Sequence, residues 1–148
     1  MWHLLSALPR ADYTVVRRPG KSWLIFSAPL GFAKARERCN QEGFELVSVS
    51  SQEENQDLFN AAKSGGIVSD GFWIGLVAKK KSRRRPVPGR DVEGTPTTNK
   101  ADWMWLSTSE TPSFDGWSVL NGGQPDNAQG AQGVVARMQS DAAWGKPF

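Results

Sequence analysis

Residues 72–77 of this 148-residue chain read Phe-Trp-Ile-Gly-Leu-Val, a run that contains no charged or polar side chain. A half-exposed strand alternates apolar and polar side chains, whereas a strand buried on both faces is apolar throughout. The run therefore predicts a central strand with both faces covered.

A first helix is predicted upstream of this strand, over residues 30–40. Phe32, Ala35 and Cys39 share one face of it, and Gly43 suits its C-terminal cap. Because Cys39 is the only cysteine, no internal disulfide can form. Its place on the apolar face predicts a small buried side chain rather than a nucleophile.

A second helix is predicted to begin after Ser51. Glu54 follows Ser51 by three residues, and this spacing is that of a capping box. The apolar face of the helix carries Leu58, Phe59 and Ala62. The glycine pair at residues 65–66 predicts its end.

Short strands account for much of the remaining apolar sequence. Residues 23–27 read as the first strand, after a Pro19-Gly20 turn, and residues 46–50 alternate as a half-buried strand should. A further strand is predicted over residues 134–138. Two helices together with short strands and long loops indicate an α+β domain.

Size and charge limit the possible organisation. A chain of this length is sufficient for one domain with a real core, and the net charge is only +3. We interpret residues 1–22 as an N-terminal arm that precedes a domain formed by residues 23–148. The start of the arm either packs Trp2, Leu4 and Leu5 on the domain or is a frayed terminus. The start is a poor signal peptide, and no apolar stretch approaches the roughly 20 residues of a membrane helix.

Residues 78–101 are predicted to be a long exposed loop insertion, rich in proline and glycine. Its basic residues are Lys79, Lys80, Lys81, Arg83, Arg84 and Arg85. Such a run is commonly a solvated loop, but it is also a candidate site for heparin-like chains or an acidic partner. Because no aromatic residues are interleaved, specific nucleic-acid recognition is not expected.

The order of these parts resembles a C-type lectin-like domain from about residue 23 to residue 144. The matching motifs are Ala35-Arg36-Glu37-Arg38-Cys39, Gly43, Leu46-Val47-Ser48-Val49, Glu53-Glu54-Asn55, Trp73-Ile74-Gly75-Leu76, Trp103-Met104-Trp105, Trp117, Gly123-Gln124-Pro125-Asp126-Asn127 and Trp144. Each motif is weak alone, whereas the ordered set is specific. The resemblance implies two helices, short antiparallel strands and a long loop region, with Trp103 and Trp117 in or near the core.

The chain departs from the family pattern in its cysteines. Family members usually carry two disulfides, and the resemblance places the inner cysteine position at Val135. The partner of Cys39, with the last strand, would lie beyond Phe148. Two interpretations stay open: the chain is truncated, or it belongs to a cysteine-poor branch that closes the fold otherwise.

The resemblance also implies a ligand site. In sugar-binding members, residues flanking a proline, a later acidic residue and a Trp-Asn-Asp motif enclose calcium, which also binds two sugar hydroxyls. Here Gln124 and Asp126 flank Pro125 and are the candidate calcium ligands, and a cis Pro125 would direct both side chains to one point. With Asn127 and Trp117 they form the candidate ligand-binding set. The Gln-Pro-Asp order implies a galactose-type ligand.

The rest of the calcium site is incomplete. The later acidic position falls on Gln132 or Gly133, and Trp-Asn-Asp is replaced by Trp-Gly-Lys at residues 144–146. Lys146 places a cation where calcium needs an anionic oxygen, so we expect no high-affinity calcium binding. The loop is also explained as a simple turn, because Gly, Pro, Asp and Asn all favour turns.

These observations predict a non-catalytic recognition module that binds a glycan or a protein through its long loop region, with a degenerate calcium site. The alternatives are a calcium-dependent galactose-type lectin and a polyanion-binding module. An enzyme is not expected, because the only cysteine and the only histidine have no partner motif. An extracellular or cell-surface location is implied by the resemblance alone.

Overall fold

The computed structural model describes residues 12–67, 71–79, 98–119, 123–125, 135–139 and 141–145. The strands in these ranges are β1 (Tyr13–Arg18), β2 (Lys21–Phe26), β3 (Phe72–Ala78), β4 (Trp103–Trp105), β5 (Val135–Met138) and β6 (Trp144–Gly145), and the α-helices are α1 (Phe32–Gln41) and α2 (Gln52–Ser64). All pairs among these strands are antiparallel, which confirms the predicted α+β class. Neither helix is long and apolar enough to cross a membrane.

The N-terminal hairpin adds a strand that sequence reasoning missed. The predicted first strand is β2, and β1 precedes it inside the segment interpreted as an arm. The predicted Pro19-Gly20 turn is present, but it joins β1 to β2, and Gly20 adopts a φ of +75°. Only Val16 of β1 is buried, so this strand carries no apolar pattern strong enough to reveal it.

Both helices lie close to their predicted positions. Gly43 follows α1 with a φ of +86°, as expected for a glycine at a helix end. At the start of α2 the Ser51 hydroxyl accepts from the Glu54 N–H at 3.1 Å. The Glu54 carboxylate returns to Ser50 rather than to Ser51, and accepts from the Ser50 N–H at 2.8 Å. The capping box is thus present, displaced by one residue on its carboxylate side.

Residues 46–50 form no strand, contrary to the sequence prediction. Leu46 and Val49, three positions apart, are both buried, so exposure does not alternate along the segment. Within the described part of the chain, the segment meets the sheet through one backbone hydrogen bond, from the Gly75 N–H to the Val47 carbonyl at 2.8 Å. Residues 46–50 are therefore an irregular segment that packs on β3 and not a strand of the sheet.

The four-stranded sheet has the order β4-β3-β5-β6, with β3 in the interior as predicted. Ile74 and Leu76 of β3 are fully buried. β5 pairs along the length of β3, with an irregular register between Trp73 and Val77. β6 pairs with β5 and so lies two strands away from β3.

Five aromatic side chains from separate parts of the chain pack together. This aromatic cluster consists of Trp103, Trp105, Phe114, Trp117 and Trp144. The Trp144 ring is fully buried and meets three of the others edge-on, at centroid distances of 5.3, 5.4 and 6.0 Å. Trp103 and Trp117 are 0% and 6% exposed, which confirms their interpretation as core residues.

Candidate functional site

The candidate ligand loop comprises residues 118–127, of which the structure describes 118, 119 and 123–125. The Gln124–Pro125 peptide is cis, as the family resemblance implied. Pro125 is buried and Gln124 is half-buried. The Gln124 N–H donates to the Ser118 carbonyl at 2.8 Å, which closes the described part of the loop on itself.

The first described residue of the loop is hydrogen-bonded to β6. The Ser118 N–H donates to the Trp144 carbonyl at 2.9 Å, and the Trp144 N–H donates to the Gly116 carbonyl at 2.7 Å. These two bonds run side by side and form a short parallel bridge between Trp117 and Trp144. The backbone that leads into the loop is therefore bound to the centre of the aromatic cluster.

Asn55 lies beneath this arrangement and was missed as a site residue by the sequence analysis. Its side chain is buried on α2, where Nδ2 donates to the Ala142 carbonyl at 2.7 Å and Oδ1 accepts from Trp144 Nε1 at 2.8 Å. A signal was available in the sequence. Asn55 is three positions before Leu58, on the face of α2 that faces the core, where an unpaired amide would be costly.

Gly145 stands where the family pattern has an asparagine. It is buried in β6, and the side-chain amide of Gln139 occupies the space that a Cβ at position 145 would enter. Gln139 also closes the turn between β5 and β6, because its N–H donates to the Ala143 carbonyl at 2.8 Å. The Gln139 amide therefore lies beside Gly145, where the family pattern has the amide of an asparagine. The spacing of residues along the chain could not predict this contact.

The remaining candidate ligand residues divide into two groups. Trp117 is in the aromatic cluster, so contact between its ring and a ligand stays a prediction. Asp126, Asn127 and Lys146 lie outside the described residues, and so do Gln132 and Gly133. Over the ranges that the structure describes, no group of three or more His, Cys, Asp and Glu side chains could hold a metal ion.

The basic run begins at Lys79, which lies in the part of the chain that the structure describes. Its Nζ donates to the Thr111 hydroxyl at 2.9 Å and to the Ala101 carbonyl at 3.2 Å. These bonds hold Lys79 against the segment that returns from the loop insertion. The candidate residues Lys80, Lys81, Arg83, Arg84 and Arg85 lie outside the described part of the chain.

Cys39 lines a cavity of about 590 Å³ between β2, α1 and the start of β3. The side chain packs against the core but is only partly buried, so the prediction of a small buried side chain is confirmed only in part. Burial, followed by the nearby Glu45 carboxylate, raises the pKa of the Cys39 thiol, although Arg38 acts in the opposite direction. A raised pKa keeps the thiol protonated and does not favour a nucleophilic role.

Comparisons with known proteins agree with this architecture. The model of the family described as the lectin C-type domain matches residues 28–146. The C-type lectin CEL-I from Cucumaria echinata superposes with a TM-score of 0.65 at 20% identity, covering 93% of this chain and 86% of that one. The cow carbohydrate-recognition domain of CD23, solved in the presence of an oligosaccharide, gives a TM-score of 0.57 at 17% identity, with coverages of 93% and 84%.

A curated relative gives a match at the level of sequence. C-type lectin domain-containing protein 88 of Caenorhabditis elegans is 28% identical over 106 residues. The aligned region is 71% of this chain and 44% of the nematode protein. This chain therefore spans less than half the length of that relative.

Proposed function

Because this chain belongs to the lectin C-type domain family, we propose that it is a non-catalytic recognition module that binds a glycan or a protein through the candidate ligand loop. The supporting observation is the attachment of Gln124 to Ser118, and of Ser118 to the buried Trp144, by backbone hydrogen bonds. Recognition residues are effective when a rigid support holds them in position. The aromatic cluster is such a support.

A galactose-type glycan is the preferred ligand class. This preference comes from the Gln124-Pro125-Asp126 order and its meaning in the family. An amide and a carboxylate can also bond sugar hydroxyls directly, since the hydroxyl both donates and accepts. Direct bonding would not require calcium.

The binding test uses galactose-agarose. We expect the protein to be retained, and we expect the combined change Gln124→Ala and Asp126→Ala to weaken binding roughly tenfold or more, because each lost hydrogen bond contributes about 0.5–1.5 kcal/mol. The matched control is Gln52→Ala with Glu53→Ala, which removes an amide and a carboxylate from an exposed part of α2. Equal retention of the wild type and the loop variant would contradict the proposal.

EDTA separates this proposal from the calcium-dependent alternative. A calcium-bridged sugar is released by EDTA, whereas a directly bonded sugar is not. The glycine at position 145 favours the second outcome, because the asparagine that the family pattern has there is missing. Complete release by EDTA from galactose-agarose would establish the calcium-dependent lectin instead.

Polyanion binding is the other alternative, and it is supported by six basic residues among the seven positions 79–85. If it is correct, neutralising all six with glutamine will strongly lower the salt concentration that elutes the protein from heparin, because fewer counterions are released. Arg17→Gln removes an exposed cation from β1 and is the control. Unchanged elution of the six-residue variant would exclude this function for the basic run.

A further inference from the structure

The Asn55 amide is not needed to form α2. The helix begins with the Ser51 cap, and its core face is supplied by side chains such as Leu58 and Phe59. Asparagine inside a helix is neutral to unfavourable, and its burial costs free energy unless its polar atoms are paired. Both bonds of the amide reach β6 and its turn, 87 and 89 residues further along the chain. The Asn55 amide therefore stabilises β6 and the turn before it rather than α2.

At β6 the Asn55 amide accepts a hydrogen bond from Nε1, the only polar atom of the Trp144 indole. The ring lies against the backbone of Gly116, so closely that a Cβ at Gly116 would overlap it. Packed interiors have little free volume, so a displaced ring must move the atoms in contact with it. Movement of the Trp144 ring therefore displaces the Gly116 backbone, two residues before the ligand loop begins.

The backbone of Trp144 continues the connection. Its carbonyl accepts from the Ser118 N–H at 2.9 Å, and the Ser118 carbonyl accepts from the Gln124 N–H at 2.8 Å. The links between residues, from Asn55 to Trp144, Ser118 and Gln124, are thus hydrogen bonds between described atoms. A continuous set of packed and bonded groups is a physical route for coupling two sites.

We propose that Asn55 is a positioning residue for Ser118 and Gln124, in the described part of the candidate ligand loop, and that it acts through Trp144. Without the amide, Trp144 Nε1 and the Ala142 carbonyl lose their partner, and local opening of β6 and of the backbone at Ser118 and Gln124 becomes easier. The proposal rests on the proposed function only for its effect on ligand binding. The coupling of α2 to the loop is independent of any ligand.

Amide hydrogen exchange of the whole chain, followed by NMR without ligand, tests the coupling. The reporters are the N–H groups of Ser118 and Gln124, and the reference is the Leu106 N–H, which bonds the Gly75 carbonyl at 2.8 Å. In Asn55→Ala we expect exchange of the two reporters to accelerate about tenfold or more relative to the reference. An unchanged ratio of reporter to reference rates would overturn the proposal.

Leu58→Ala is the control for a general loss of stability. Leu58 is buried one turn further along α2, and its apolar side chain cannot take part in the polar connection. Its removal should accelerate the reporters and the reference together. If it changes the ratio as much as Asn55→Ala does, Asn55 has no specific role and the proposal is wrong.

Trp144→Phe carries the same comparison if Asn55→Ala does not fold. It keeps an aromatic ring and the Asn55 bond to the Ala142 carbonyl, and it removes only the Nε1 donor to Asn55, so we expect a smaller change of the ratio in the same direction. No change in the ratio would overturn the proposal here too. Binding to galactose-agarose separates the coupling hypothesis from the proposed glycan-binding function. If the ratio changes but the wild-type protein does not bind galactose-agarose, the coupling is supported and the proposed glycan ligand is wrong.

Discussion

Replacing Trp144 with alanine is expected to lower the free energy of unfolding by about 3–5 kcal/mol. The ring is fully buried, and the substitution removes its edge-on contacts with Trp105, Phe114 and Trp117. The substitution also removes the Trp144 Nε1 donor, which lies 2.8 Å from the Asn55 amide oxygen. Since domains of this size are stable by only about 5–15 kcal/mol, the variant should be close to unfolding at room temperature.

Urea denaturation followed by circular dichroism measures this effect. Trp144→Phe is the matched variant, because it retains an aromatic ring while removing the Nε1 donor, and we expect a smaller loss of about 1–3 kcal/mol. The difference between the two variants measures the stabilisation that an aromatic ring at position 144 supplies without a bond to Asn55. A loss of less than about 1 kcal/mol for Trp144→Ala would mean that the aromatic cluster does not support the fold as described.

Gly75→Ala is expected to cost about 2–4 kcal/mol, even though it adds only one methyl group. A Cβ at this position would lie 2.6 Å from the Leu46 carbonyl oxygen, which is backbone and cannot rotate away. Relief requires residues 46–50 to move off β3, which would break the bond from the Gly75 N–H to the Val47 carbonyl. The close approach of residues 46–50 to β3 thus explains the glycine of the Trp-Ile-Gly-Leu motif.

Gly31→Ala provides the comparison in the same assay. A Cβ at Gly31 meets nothing within 4 Å, and the residue has a φ of −65° that alanine adopts readily. Alanine lowers the entropy of the unfolded chain, which stabilises the fold, but it caps the helix less well than glycine, which destabilises it. Because the two effects oppose each other, the free energy of unfolding should change by less than about 1 kcal/mol. If Gly75→Ala were as well tolerated as Gly31→Ala, the close approach of Leu46 would not be a constraint on the fold.

Local patterns were sufficient for the helices and for β3. The Ser51–Glu54 spacing predicted the start of α2, and the apolar run at residues 72–77 predicted an interior strand, because caps and periodicity act between residues close in the chain. Residues 46–50 were wrongly predicted as a strand. Their alternation resembled that of a strand, but β3 obtains its neighbours from β4 and β5 instead.

The candidate site was only partly accessible to the same reasoning. The motif around Pro125 pointed to the loop, and the family resemblance implied the cis peptide that is present. The loop's support was not predicted, because Asn55 and Trp144 are 89 residues apart and meet only after α2 and β6 have packed. Gln139 was missed for a similar reason, since nothing in the spacing of residues 139 and 145 indicates that one fills the space beside the other.

The sequence by itself therefore determined the helices, the interior strand and the family pattern, all of which depend on residue types at short or regular spacings. Only the tertiary structure decided that the Asn55 amide holds Trp144 and that the Gln139 amide lies against Gly145. The physical reason is that these contacts join residues through packing and backbone geometry. Many side chains could satisfy such contacts equally well, so no local pattern specifies them in advance.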